Sequence, residues 1–338
     1  MFGKLFSGKN DLSVGLFGRI IATDPIVTIS KRTPLTPLGI AGVAPDFFRG
    51  KNAFHILSNT WHHRSENKVR RLGRDLRRLS SELQNNHFLY LGNDNFEVLL
   101  LSKHKVPAIL SSELIAIDDS IFRPGAGQTV KITPTDVVYV ARIKEMKRHE
   151  LAYDLENVAL VYGRDDVELQ EQIRKDKPQW LFVNHVLGNG DYYRLSVHDI
   201  AGVLNQCRVG LCLSPEEGAM RASMEYLMSG LPIVSTYNFG GRDRYLDPFN
   251  SIHVESTRKA VREGVESLLD NPRGREEIRE NVMHKVNFDR EDFINSVNEV
   301  IQHHYGVHDH LKSCRDIIGY LQKYRPASVI LADLDKLK

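Results

Sequence analysis

The chain has 338 residues, 41% hydrophobic and 26% charged, the proportions of an ordinary globular protein, which set aside disordered and collagen-like classes. No apolar run reaches the roughly 20 residues that cross a bilayer. Three cysteines (Cys207, Cys212, Cys314) are too few and too irregular for a disulfide framework or a zinc site, so a reducing, cytoplasmic compartment is expected.

The net charge of +2 divides unevenly. Residues 1–125 carry 17 basic and 11 acidic side chains, net +6, leaving −4 on the remainder. The first part is therefore expected to meet an anionic partner. At the N-terminus, Lys9, Asn10 and Asp11 interrupt the apolar residues, so no signal peptide is expected. The length suggests two domains.

Apolar β-branched runs alternate with helical patterns along the chain, the mark of parallel α/β units. In the first part strands are expected at Val14–Ile21, Pro25–Ile29, Phe54–Ser58, Phe88–Leu91 and Ala108–Ile117. Residues 30–52, rich in Gly and Pro, read as a long loop. A strong helix is expected over Glu66–Leu83, where Val69, Leu72, Leu76, Leu79 and Leu83 make one apolar stripe. Arg70, Arg71, Arg74, Arg77 and Arg78 occupy the rest of its surface. A second helix is expected at Asn95–Lys103.

Breakers at Phe122–Gly127 mark a boundary, after which a second series begins. Its strands are expected at Val137–Ala141, Val158–Val161, Trp180–Val183, Val209–Leu213, Ile233–Ser235 and Ser251–Val254, with helices between. Helices are also expected at Arg148–Leu155, Ala219–Ser229, Arg275–Val286, Asp289–His304 and Leu311–Tyr324. The expected division is 1–125, 126–305 and a helical extension 306–338.

The stretch richest in chemistry is Cys207–Thr236. A buried strand runs into the polar turn Ser214–Gly218, a helix follows, Gly230 ends it, and Leu231-Pro232 leads to another strand. In open α/β sheets ligands bind beyond the carboxyl ends of strands, near helix N-termini. Backbone N–H groups of Gly218, Ala219 and Met220 would there favour a phosphate. Glu217 and Glu225 lie eight residues apart, about 80° around a helix axis, and carboxylates accept well from sugar hydroxyls.

The pattern E-G-x6-E followed by G-L-P-I-V resembles the donor-site signature of retaining GT-B glycosyltransferases, especially glycosyltransferase family 4. Glu217-Gly218 and Glu225 match its two glutamates. The resemblance implies that Glu225 binds the ribose hydroxyls and that Glu217 contacts the transferred sugar or supports charge at the reacting centre. Val140-Ala141-Arg142-Ile143-Lys144-Glu145-Met146-Lys147 is similar to the family's V-G-R-L-x-x-x-K, whose Arg and Lys hold the diphosphate. Arg142 and Lys147 match; Arg148 stands where a Gly normally follows the Lys. Two cations suit a departing nucleoside diphosphate, which gains charge as the bond breaks, so no metal is strictly needed. Asp333-Leu334-Asp335 reads as a solvated end, and neither Asp118-Asp119 nor Asp165-Asp166 has metal-site context. Phe182–Gly190 looks like the base-contacting loop. Phe239–Asp243 resembles G-G-x-x-E, its Gly240 and Gly241 allowing close backbone approach.

In the first part the resemblance is weaker. Asn59–Arg64 sits where the family often places a catalytic-loop histidine, which makes His62 or His63 a candidate for contact with the reacting sugar or the acceptor. The expected fold is α/β, two Rossmann-like domains facing across a cleft, the first shortened. The expected function is transfer of a sugar from a nucleoside-diphosphate sugar to a glycan, lipid-linked or other acceptor with retention. The alternative is a GT-B-like binding or scaffold protein without activity. No cofactor is expected beyond the donor substrate. Helix 66–83 is expected to meet an anionic membrane surface or a phosphate-bearing acceptor, and its lack of interleaved aromatics argues against nucleic acid. An NAD-type dehydrogenase would need G-x-G-x-x-G after a strand, and the chain has none.

Overall fold

The structure is a computed structural model and describes residues 11–59, 61–127, 130–163 and 165–337. Lys9 and Asn10, part of the N-terminal reading, lie outside them. The chain divides into two compact units, residues 1–116 with 287–338, and 117–286.

The first unit holds a six-stranded sheet. Its strands are β1 (Gly15–Thr23), β2 (Ile26–Lys31), β3 (Ala53–Ser58), β4 (Asn86–Gly92) and β5 (Ala108–Leu110), with a late strand, Tyr324–Pro326, paired antiparallel to β1. β2 through β5 are parallel, and β1 joins β2 antiparallel. The Glu66–Glu82 helix buries Val69, Leu72, Leu76 and Leu79 on one side of this sheet, together with Leu83 just beyond its end. Its five arginines are exposed, as the 3,4 spacing dictates.

Five expectations fail here. Residues 30–52 are not one loop, because Gly39–Val43 and Pro45–Phe48 are short helices whose Ile40, Ala41 and Phe48 enter the core. β5 stops at Leu110, and Glu113–Ala116 is a buried 3-10 turn. The separate extension 306–338 belongs to the first unit: Leu311, Cys314, Ile317, Tyr320 and Leu321 cover one face of the sheet, while Ala327, Ile330 and Leu331 cover the other. The helix expected over Leu311–Tyr324 is two 3-10 turns, Cys314–Asp316 and Tyr320–Gln322, separated at Gly319 with φ 77°. Asp333 is no mere solvated end, since it accepts from Arg325 (2.7 Å) and Lys336 (3.0 Å).

The second unit is a fully parallel sheet of β6 (Thr135–Val140), β7 (Val158–Val161), β8 (Leu181–Phe182), β9 (Cys207–Cys212), β10 (Ile233–Thr236) and β11 (Ser251–Val254), completing with β12 (Tyr324–Pro326) the chain's strands among the described residues. The order β11-β10-β9-β6-β7-β8 is that of a doubly wound Rossmann sheet, with its switch between β6 and β9. Gly210 in β9 lets Tyr226 pack flat on the strand, since a Cβ there would sit 2.5 Å from the ring. Tyr226 in turn accepts the Val140 N–H through its hydroxyl at 2.6 Å, which ties the helix after β9 to the end of β6.

The helices expected at Arg275–Val286 and Asp289–His304 are one, Arg275–Tyr305. No Gly or Pro interrupts that stretch, so nothing local ends it. It passes the boundary between the units at Val286. Phe293, Ile294, Val297 and Ile301 then join the core of the first unit, which is why the boundary expected near 305 lies earlier.

Candidate functional site

The second unit's candidate residues lie in the segments after β6, β9 and β10, at the carboxyl end of its sheet. β9 ends at Cys212, and the turn carrying Glu217 is pinned beside β10, Phe239 N–H donating to Pro215 (2.8 Å) and Glu217 N–H to Phe239 (3.3 Å). The helix begins later than expected, at Arg221, with Met220 as N-cap and no side-chain cap bond. Glu217 therefore lies in the turn, and the 80° helical angle to Glu225 does not apply. Met220 makes no side-chain cap bond to the first-turn N–H groups, and Gly218, Ala219 and Met220 lead into that turn. All three are buried.

Lys147 Nζ donates to Glu217 Oε1, both side chains nearly buried. The pair joins the loop after β6 to the turn after β9, across the sheet's switch point. Glu225 is buried, 5% exposed, rather than solvent-facing. Arg221 lies 3.4 Å away. Burial raises the Glu225 pKa and Arg221 opposes that. Arg142 stands apart from this group: its guanidinium makes a bidentate pair with Asp165, its side chain largely exposed. Asp166 caps the following helix by accepting from Leu169 N–H at 2.9 Å. Neither aspartate of that pair is spare.

Gly240 adopts φ 134°, and Gly241 opens a 3-10 turn. Arg242, which the motif reading passed over as a variable position, is 1% exposed. It donates to the carbonyls of Ser214 (2.8 Å), Cys212 (3.3 Å) and Thr236 (2.5 Å) and to Ser235 Oγ (2.7 Å). Asp243 neutralises it at 2.7 Å and is held below the usual carboxylate range by His253 and Arg242 despite burial. Arg242 thus locks the ends of β9 and β10 under the site. Its own sequence signal was only its place in the Gly-Gly turn.

Phe182–Gly190 opens with a one-turn helix, Val183–Val186, and runs on as turns through residue 190. At the ends of β7 and β8, Tyr162, His185 and Tyr192 cluster with ring centroids 5.8–6.4 Å apart, Tyr162 hydroxyl and His185 Nδ1 sharing a 2.5 Å hydrogen bond. The cluster is suited to stacking, and only the fold brings it together.

The other candidates lie in the first unit. His62 and His63 follow β3 and are both buried. His62 stacks on Trp61 at 5.3 Å. His63 Nε2 meets Arg32 (2.7 Å) and Tyr90 hydroxyl (2.9 Å). Burial, then Arg32, push His63 down to about 3, so it is neutral near pH 7. Glu97, not singled out in the sequence, organises this loop. Its oxygens accept from His63 N–H (2.7 Å), Asn93 N–H (2.8 Å) and Asn93 Nδ2 (3.2 Å), and burial lifts it to about 7 against those donors. Among the described residues no group of three or more His, Cys, Asp or Glu could hold a metal ion, and no helix is long and apolar enough to cross a membrane.

No protein-family model and no curated protein matches the chain. Solved structures do. Sucrose-phosphate synthase of Thermosynechococcus elongatus is 14% identical over 81% of this chain and 82% of its own, TM-score 0.57. The α,α-trehalose 6-phosphate synthase of Burkholderia multivorans is 11% identical over 81% and 72%, TM-score 0.56. HepE of Anabaena in complex with UDP is 11% identical over 79% and 84%, TM-score 0.54. Identity this low carries the architecture alone, and the architecture is shared: this chain has the two-Rossmann, GT-B fold.

Proposed function

We propose that the protein is a nucleotide-sugar-dependent glycosyltransferase acting with retention of configuration on a glycan or lipid-linked acceptor. The observation that carries the reading is the Lys147–Glu217 pair at the strand ends of a Rossmann sheet. It places one cation and one carboxylate beside an uncapped helix N-terminus, the combination that suits a diphosphate and the sugar attached to it. Lys147 and the N–H groups of Gly218, Ala219 and Met220 would hold the diphosphate, Glu217 would stand at the reacting sugar, and Glu225 would accept from the ribose. Arg142 would join on release from Asp165, with no metal strictly required. HepE is described with UDP and glucose, which makes a UDP-sugar the first donor to try. His63, neutral and hydrogen-bonded, would support the acceptor side, with His62 beside it.

A thermal-shift panel of UDP-, GDP- and ADP-sugars tests this. One donor near 100 times its Kd should stabilise the wild type by about 3 kcal/mol, a shift of about 5 °C or more, and Glu225→Ala should lose that response. A flat response to every donor would remove the donor site. Binding without turnover would favour the scaffold reading.

Exposed Arg70, Arg71, Arg74, Arg77 and Arg78 support a peripheral membrane contact, and Phe96 (52%) and Leu99 (71%) on the Asn95–Lys103 helix add exposed apolar surface. That helix adjoins the arginine helix, with Lys103 Nζ 3.0 Å from Glu66. Vesicles containing phosphatidylserine should bring the protein down on centrifugation in 50 mM salt (roughly five Debye-screened charges at about 1 kcal/mol each) and release it in high salt. Binding that ignores salt would count against a charge-driven contact.

A further inference from the structure

Arg148 stands at a position that disfavours any side chain. Its φ of 50° and ψ of 49° are left-handed, a conformation that Gly adopts freely and other residues rarely do. It is the joint between two 3-10 turns, Glu145–Lys147 and His149–Ala152. On its N-terminal side Lys147 reaches Glu217; on its C-terminal side His149 is buried against Tyr139, ring centroids 5.1 Å apart.

The guanidinium explains why an arginine stands there. Its Nε donates to the Leu213 carbonyl (2.6 Å), one terminal nitrogen to Thr236 Oγ1 (2.7 Å) and the other to Ser256 Oγ (3.1 Å). Leu213 follows β9, Thr236 ends β10, and Ser256 follows β11. These are the three strands on one side of β6, in order. Thr236 Oγ1 also donates to Leu213 at 3.0 Å, so the contact is a closed network rather than a loose surface bond. One side chain thereby fastens the loop after β6 across the strand ends whose turn carries Glu217.

We propose that Arg148 is a positioning residue of the donor site: its fork holds the loop in the left-handed joint that sets Lys147 against Glu217. The inference rests on the donor-site reading given above. Only a planar fork with donors on three nitrogens reaches all three oxygens; an ammonium does not.

The test is UDP affinity by calorimetry for the wild type, Arg148→Gly, Arg148→Lys, Lys147→Met and the Arg148→Gly/Lys147→Met double variant. Glycine is at ease in the left-handed joint, so the backbone is not strained by the exchange. Arg148→Gly should bind UDP about tenfold more weakly, and Arg148→Lys should recover little of that. In the Lys147→Met background the same exchange should have almost no further effect, because Arg148 acts through Lys147. A merely structural arginine would lower affinity by the same factor in both backgrounds, and that result, or wild-type affinity in Arg148→Gly, overturns the inference while leaving the donor site standing. A wild type that binds no UDP, GDP or ADP removes the donor-site reading and this inference with it.

Discussion

Lys147→Met should cost the protein about 3–5 kcal/mol of stability, the usual effect of removing one partner from a buried ion pair. The pair is nearly sealed, with side-chain exposures of 12% for Lys147 and 7% for Glu217. The loss comes from the abandoned Glu217 carboxylate, which keeps the penalty of burial without its counter-charge. Adding Glu217→Gln should therefore restore more than half of the lost stability, because the second exchange removes that charge. Turnover should behave differently. On the proposed donor reading, loss of this cation should lower kcat by about 10²–10³, and the double variant should stay as slow as the single one. Urea unfolding and donor turnover on the wild type and these two variants separate the two effects. Equal midpoints for wild type and Lys147→Met would show that the pair is not the buried contact described here.

Glu97→Leu is expected to weaken the first unit in a way that depends on pH. Two backbone N–H donors, those of His63 and Asn93, lose their acceptor, while Asn93 Nδ2 keeps its bond to the Asn59 carbonyl (2.9 Å). Each stranded buried donor costs about 1–3 kcal/mol, so a loss of roughly 2–6 kcal/mol is expected at pH 7.5. The pH dependence follows from burial, which lifts Glu97 from 4.5 to about 7. Between those values the unfolded chain has lost the proton and the folded one keeps it. Wild-type stability from this group is therefore full below 4.5, falls as pH rises to about 7, and is level above. The deficit of Glu97→Leu should accordingly be larger at pH 5 than at pH 7.5, by about 2 kcal/mol.

Buried histidines slope the other way. His55, His63 and His149 are pushed down to about 4, 3 and 4, mainly by burial, so each loses stability as pH falls from the unfolded value of 6.5 toward its folded one. Only the difference between wild type and variant isolates Glu97. A deficit that is constant or shrinks on acidification would contradict the assignment.

The local patterns were legible because they are short-range. Val69, Leu72, Leu76 and Leu79 announce the buried side of a helix whatever it packs on. The six strands of the second unit showed as apolar β-branched runs between helices, and a Rossmann sheet follows from that alternation alone. Glu217, Glu225 and Lys147 stood out through spacing in a strand–turn–helix frame.

Long-range pairing decided the rest. Nothing within Leu311–Leu337 says that Tyr324–Pro326 will pair with Gly15–Phe17, roughly 300 residues earlier, because a strand's partner is set by the edge left open rather than by the strand. Arg142 was legible as a cation, yet its pairing with Asp165 depends on where the turn after β7 lies. Arg242 and Arg148 are the sharpest cases. Each is an unremarkable surface residue type in sequence, and each acquired its role only when folding brought strand ends within reach of one guanidinium, two for Arg242 and three for Arg148. The sequence by itself determined most of the strands and the longer helices, the two-domain α/β class, and the two glutamates on which the proposed donor site rests. The tertiary structure decided which charges meet, because burial and proximity, not residue identity, set both the partners of an ionisable group and the form in which it exists.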